Sequence, residues 1–150
     1  MAVTAHAYTK AGLALASKKI DLTADTVKVM LLSAYTVGTT QDTAEFVADV
    51  LGVGTEASGT GYSAGGVALV SPTFTESGHV YTFTSSTNPS WNASGGSLAA
   101  AYALFYDSTP GTNATNPVLC YWDFGGTATA TNATFTLTLS GSGVFTITGS

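Results

Sequence analysis

One stretch of the sequence has the residue types and the spacing of a catalytic nucleophile. Gly61-Tyr62-Ser63-Ala64-Gly65 matches the G-x-S-x-G pattern, in which a strained turn between a strand and a helix exposes the serine hydroxyl. The residues that follow, 66–70, have the composition of a strand, and His79 is the only histidine downstream. We therefore interpret this stretch as a glycine-rich turn and predict that the protein is not an enzyme.

Side chains that could bind a metal ion or act as a thiolate are few and scattered. His6, His79 and Cys120 are too isolated for a zinc site, and the carboxylates lack the dense alternating spacing of a calcium loop. Cys120 lies within the apolar run 117–122, so we predict a buried thiol, and a single cysteine cannot form an internal disulfide. The sequence predicts neither a metal site nor a cofactor.

Aromatic side chains offer a third kind of site, because their faces can stack on sugar rings. Trp91 and Tyr62 lie in loop-like stretches and are the candidates for glycan binding. The aromatic residues inside apolar runs are instead expected in the core: Tyr102, Tyr106, Tyr121 and Trp122.

The distribution of charge argues against two classes of partner. Charged residues make up 9% of the chain, against about 25% in typical domains. The net charge is −5, arginine is absent, and only Lys28 follows the cluster Lys10, Lys18 and Lys19. Phosphate groups are neutralised by clustered lysine and arginine, so we predict no binding to nucleic acid or to anionic membranes.

No segment has the properties of a membrane span or of a secretion signal. The longest apolar run, residues 98–106, is far shorter than the roughly 20 residues of a spanning helix. Lys18 and Lys19 follow the first apolar run, whereas the positive charges of a signal peptide precede it.

The composition points to β structure in one domain, residues 1–150. The chain contains 26 Thr, 15 Ser and 17 Gly, and β-branched threonine favours strands. Residues 26–32 form a β-branched run, and apolar residues alternate with threonine over 134–139. About seven or eight such strands at regular spacing predict a mostly β fold, an antiparallel β-sandwich or a barrel-like fold.

Two short helices are expected before residue 52. The first is predicted over 5–19 and the second over 43–51, where Asp42 caps the helix with Glu45 and Gly52 ends it. The residues predicted to dock the first helix are Tyr8, Gly12, Leu15 and Ala16.

The predicted core follows from these strands. Hairpins are expected over 72–84 and over 134–148, a strand is favoured over a helix for 98–106, and Gly125-Gly126 is expected to break the chain. The residues predicted to be mainly buried are Val29, Leu31, Phe83, Leu104, Phe105, Phe135, Leu137, Leu139, Phe145 and Ile147.

Stretches along nearly the whole chain resemble a group of small virion structural proteins of tailed bacteriophages. Those in the first half are Tyr8-Thr9-Lys10-Ala11, Ile20-Asp21-Leu22, Asp25-Thr26-Val27-Lys28-Val29 and Gly59-Thr60-Gly61-Tyr62-Ser63-Ala64-Gly65-Gly66. Those in the second half are Ala103-Leu104-Phe105-Tyr106-Asp107, Tyr121-Trp122-Asp123-Phe124-Gly125 and Gly143-Val144-Phe145-Thr146. These motifs are structural and carry no catalytic meaning.

The resemblance implies a capsid decoration (cement) protein, made in the host cytoplasm, that binds the outer capsid surface and stabilises the assembled head. Its implied partners are the major capsid protein and further copies of itself, as a homo-oligomer. The alternative is a tail or fibre component with glycan-binding loops. Lys10, Lys18 and Lys19 are the candidate capsid contacts, unless they only form the solvated face of the first helix.

Overall fold

Eleven strands and three short helices make up the part of the chain that the computed structural model describes, residues 3–149. In chain order they are β1 (Thr4–Ala7), α1 (Thr9–Ala16), β2 (Val27–Tyr35), α2 (Thr40–Thr43), α3 (Val47–Leu51), β3 (Gly54–Glu56), β4 (Val67–Ala68), β5 (Thr73–Ser77), β6 (Val80–Thr84), β7 (Ser90–Asn92), β8 (Ser97–Asp107), β9 (Val118–Thr131), β10 (Thr134–Thr136) and β11 (Phe145–Thr148). Strands account for 46% and helices for 12%, which confirms the predicted fold class, mostly β and sandwich-like.

The central sheet takes its strands from both ends of the chain. Its order is β1-β9-β8-β2-β3, with β4 also paired to β2, and every pairing is antiparallel. β2 confirms the strand predicted over 26–32, and β8 confirms the one favoured over 98–106. The N-terminal and C-terminal halves are therefore joined within one sheet.

Each face of the central sheet is covered by a different layer. On one face, Val29 and Phe105 pack among residues of two smaller sheets, β5-β6-β11 and β7-β10, including the fully buried Phe83. On the opposite face, Met30 and Leu104 pack in a cluster that includes Ala11 of α1 and two residues of α3. Burial on both faces explains why β2 and β8 are continuous apolar runs rather than alternating ones.

β9 continues through Gly125 and Gly126, where the sequence predicted a break. The two glycines have φ of 70° and 151°, conformations that disfavour residues with a Cβ atom. The register between the strands shifts between Ala100 and Tyr102 of β8. The glycines thus lie in a bulge that bends the strand without ending it.

The helix predicted over 5–19 begins later and is shorter. Residues 4–7 form β1 on the edge of β9, and Tyr8 is still extended, with φ −78° and ψ 138°. The alanines favour a helix, but strand pairing with β9 overrides that preference. Ala11 and Ala14 form the buried side of α1. Of the residues predicted to dock the helix, Tyr8 is buried and Leu15 is partly buried, whereas Gly12 and Ala16 are exposed.

Only the second part of the helix predicted over 43–51 is observed, as α3; residue 43 ends α2, and residues 44–46 between the two helices are not helical. Asp49, rather than Asp42, caps α3: its Oδ2 atom accepts the backbone N–H groups of Glu45 and Phe46, each at 2.9 Å. The cap therefore comes from inside the helix, and with α2 the structure has three short helices where two were expected.

Most of the predicted core is buried. The buried members are Val29, Leu31, Phe83, Leu104, Phe105, Phe135 and Leu137. Leu139 and Phe145 are partly buried, whereas Ile147 is 43% exposed, so its prediction is wrong. The reason is topological: β11 pairs with β6 and not with β10, so the hairpin predicted over 134–148 does not form.

Candidate functional site

Three large apolar side chains are exposed together on the small sheet β5-β6-β11. Phe74, Tyr81 and Ile147 are 37%, 42% and 43% exposed. Tyr81 is opposite Ile147 in the β6–β11 register, and the rings of Phe74 and Tyr81 stack with centroids 5.8 Å apart. We call these three residues the overhang, because they lie on the core-facing side of the sheet, beyond the region that the central sheet covers.

The turn of the β5–β6 hairpin determines which side chains of these strands lie in the overhang. The β5–β6 hairpin predicted over 72–84 is confirmed, and its turn residues Gly78 and His79 both have positive φ, 57° and 66°. Positive φ at both central positions is typical of a two-residue hairpin turn, which fixes the register of the flanking strands. With that register, Phe83 lies in the core, and Tyr81, two residues earlier on the same face, lies outside it.

A groove of about 380 Å³ separates the overhang from the end of α1 and the loop that follows it. Phe74 and Ile147 line one side, and Leu15 and Lys18 are among the residues that line the other. Asp21 also lines the groove, and its pKa is lowered because Thr23 donates hydrogen bonds to its carboxylate from both the hydroxyl and the backbone N–H. The groove is therefore mainly apolar, with one positive and one negative charge at its border.

The structure separates the three candidate contact lysines. Lys10 is exposed on α1, and Lys18 lines the groove. The Nζ atom of Lys19 lies 2.6 Å from the Glu45 Oε1 atom in an exposed ion pair. Exposed pairs of this kind contribute about 0–1 kcal/mol, so the pair restrains Lys19 only weakly. Of the three, Lys18 is the one placed beside the exposed apolar side chains.

The G-x-S-x-G stretch forms a loop that is followed by the strand β4, so the helix that a nucleophile elbow needs is missing at this point. The Glu56 carboxylate holds the loop by accepting the Tyr62 hydroxyl at 2.9 Å and the Gly65 backbone N–H. The Tyr106 hydroxyl donates to the Gly65 carbonyl at 2.8 Å, and burial raises the pKa of Tyr106 to about 12. These contacts serve the packing of the loop on the sheet.

Ser63 and His79 belong to different parts of the fold. His79 lies in the β5–β6 turn, where its backbone N–H donates to the Glu76 carboxylate, and within residues 3–149 no hydrogen bond joins it to Ser63.

The expected sugar-stacking pair is not available on the surface. Trp91 is only 3% exposed and packs against Phe135, with ring centroids 6.1 Å apart. Tyr62 is partly buried, and its hydroxyl accepts the Leu31 backbone N–H at 3.1 Å. The exposed aromatic pair, Phe74 and Tyr81, was missed because alternation reveals the face of a strand but not where its covering layer ends.

A second groove, of about 500 Å³, lies between β1 and residues 138–146. Cys120 and Trp122 are among its lining residues, and burial raises the pKa of the Cys120 thiol. No three histidine, cysteine, aspartate or glutamate side chains of the described chain form a cluster that could hold a metal ion. None of its helices has the length and apolar character needed to cross a membrane.

Comparison of the chain with protein-family models, with curated proteins and with solved structures finds no match.

Proposed function

We propose that this protein is a non-catalytic structural protein of a tailed-phage virion, and that it decorates and stabilises the outer surface of the assembled head. The observation that carries the proposal is the groove beside the overhang, where the exposed side chains of Phe74 and Ile147 lie across from Lys18. Its partner in this role is the major capsid protein, and no nucleic acid, membrane or cofactor takes part.

The low charge of the chain supports a role in protein–protein contacts. Burying an unpaired charge at an interface costs several kcal/mol, whereas apolar and hydroxyl-bearing side chains are desolvated at lower cost. Only 9% of the residues are charged, and the groove carries one charge of each sign, Lys18 and Asp21. Such a surface fits a neutral or mildly acidic protein lattice better than a charged polymer.

Stabilisation of a head by this protein would follow from mass action. A protein that binds the assembled lattice and not its separated subunits stabilises the lattice, and many bound copies add their contributions.

The alternative, a tail or fibre component with glycan-binding loops, loses part of its basis. Its sequence candidates were Trp91 and Tyr62, and the Trp91 indole is in the core. The location of the protein on the particle separates the two proposals.

The first experiment compares particles assembled with and without the protein. We expect labelled protein on heads at stoichiometric copy number, and we expect heads that lack it to release DNA at a lower temperature, most clearly at low magnesium. Equal release temperatures together with label confined to tails would contradict the head proposal.

A matched pair of variants tests the groove itself. Ile147→Thr removes an exposed apolar side chain from the groove, and Val53→Thr removes a similarly exposed one, 44% against 43%, that is not among the groove residues. Burying the exposed part of an isoleucine contributes about 1 kcal/mol, so Ile147→Thr should weaken head binding roughly fivefold. Equal affinities for the two variants would exclude the groove as the contact.

A further inference from the structure

The outer strand of the small sheet has a free hydrogen-bonding edge. Within residues 3–149, β5 pairs with β6 on one side only, and all five of its residues, Thr73–Ser77, are exposed. Along such an edge, alternate residues direct their N–H and C=O groups away from the sheet. These groups are satisfied by water in the free protein and can pair with another strand.

The edge carries few of the devices that usually prevent pairing, since Pro72 lies just before the strand and not within it. Protective edges carry lysine or proline, a bulge, or a covering loop. Within β5 the only charged residue is Glu76, and its carboxylate is engaged in the hairpin turn, where it accepts the His79 backbone N–H at 3.2 Å. The register of β5 with β6 runs without a shift from Thr73 to Ser77. The strand is therefore regular and open to a partner.

We propose that β5 pairs with β5 of a second copy of this chain, antiparallel and centred on Thr75, so that two three-stranded sheets become one sheet of six strands. A two-fold axis at Thr75 places Thr73 opposite Ser77 of the second copy. On one face, the hydroxyl-bearing side chains of one copy then lie opposite hydroxyl-bearing side chains of the other. Such Thr–Thr and Thr–Ser pairs across antiparallel strands are favourable.

The opposite face of the strand adds apolar contact to this pairing. Phe74 lies opposite Glu76 of the second copy, whose methylene groups cover the exposed ring. The Phe74 ring is also stacked on Tyr81, so pairing extends the overhang of one copy towards that of the next. Neither contact requires a change in the fold of the single chain.

The size of the contact sets its strength. A stable interface uses about 20–30 residues a side, whereas this strand contributes five. The pairing is therefore weak in solution and becomes significant when a scaffold holds neighbouring copies at the millimolar effective concentration of tethered partners. The pairing rests on the proposed function in this respect, and it gives a contact for the homo-oligomer that the resemblance implies.

The test uses the free full-length protein, so its failure is distinct from a failure of head binding. Cα atoms of opposed residues in an antiparallel pair lie about 4.5–5.5 Å apart, within the range that a disulfide spans. Thr75→Cys should therefore cross-link to itself under mild oxidation. Thr146→Cys, also exposed but on β11, would lie five strand spacings, roughly 24 Å, from its counterpart and is the control. The native Cys120 is buried and does not compete.

We expect disulfide-linked dimer to accumulate at least tenfold faster for Thr75→Cys than for Thr146→Cys, at a rate that rises with protein concentration. As a second variant, Thr75→Lys places two like charges opposite each other on an exposed face. It should abolish the self-association that the unmodified chain shows in sedimentation equilibrium at millimolar concentration. Equal cross-linking of the two cysteine variants overturns the proposal, as does self-association that Thr75→Lys leaves unchanged.

Discussion

The two tryptophans differ in one respect that can be measured as stability. Trp91 and Trp122 are buried to nearly the same extent, 3% and 6% exposed. The Trp122 Nε1–H donates to the Val144 carbonyl at 3.0 Å, whereas the Trp91 Nε1–H has no partner among the described residues. Replacing each by phenylalanine removes the same ring atoms, so the difference between the variants isolates the hydrogen bond.

The expected difference in free energy of unfolding follows from two contributions. Trp122→Phe loses a hydrogen bond worth about 0.5–1.5 kcal/mol, while Trp91→Phe removes a buried unpaired donor that costs about 1–3 kcal/mol. Trp122→Phe should therefore be less stable than Trp91→Phe by roughly 2–4 kcal/mol. For a domain of 150 residues this corresponds to a difference in Tm of about 5–15 °C.

Urea unfolding followed by far-ultraviolet circular dichroism measures both variants with one probe, because that signal does not depend on which tryptophan remains. Equal m-values would confirm that the change lies in stability and not in the extent of unfolding. If the two variants lost the same free energy, the Trp91 N–H must have a partner, and the reasoning from an unpaired donor would be refuted.

Three further substitutions test the core, the backbone and the titration of a buried carboxyl. Phe135→Ala should lower the free energy of unfolding by about 3–5 kcal/mol. The neighbouring control Thr136→Ala, on the exposed face, should change it by no more than about 0.5 kcal/mol. A loss below about 1 kcal/mol for Phe135→Ala would mean that β10 faces the other way. Gly66 and Gly95 both have positive φ, but a Cβ atom on Gly66 would overlap a backbone carbonyl of β2, whereas a Cβ atom on Gly95 meets nothing. In urea unfolding, Gly66→Ala should therefore be less stable than Gly95→Ala by about 1–3 kcal/mol. Equal losses of stability would contradict the close approach of Gly66 to β2. Asp107 is 1% exposed, and its burial, together with a neighbouring carboxylate, raises its pKa. Its ionised form therefore destabilises the fold above the pKa of the folded state. This penalty disappears as the pH falls towards the ordinary pKa range of aspartate. Asp107→Asn should therefore be more stable than the unmodified protein at pH 7, with the gain shrinking on acidification; a gain independent of pH would argue against the shifted pKa.

Local patterns predicted those elements whose neighbours are set by the chain itself. The alternation of Phe135 and Leu137 with threonines was enough to assign the buried face of that segment, because strand geometry fixes the sides of successive residues. The β5–β6 hairpin was likewise predicted, since its turn joins strands that are adjacent in sequence.

Non-local pairing decided the cases that sequence reasoning missed. Residues 5–7 have helix-favouring alanines, but β9 offers them an edge to pair with, and no local signal reports that edge. Ile147 was assigned to the core on the assumption that β11 returns along β10, whereas it pairs with β6. The overhang was missed for a different reason: a residue on the inner face of a sheet is exposed wherever the opposite layer ends, and no local pattern reports where that is.

The strand order of the central sheet determines when a nascent chain can finish folding. β1 pairs with β9 through contacts such as Thr4 with Asp123, so β1 is synthesised long before the strand with which it pairs. At about 5–20 residues per second, the interval between them is roughly 6–24 s. For most of that time the apolar run of β2 has no β8 beside it, and its covering layers are incomplete. The scarcity of charge leaves little repulsion to prevent association. Synthesis of this chain should therefore depend on chaperones until β8 and β9 have joined the central sheet and β10 and β11 have completed the layer that covers it.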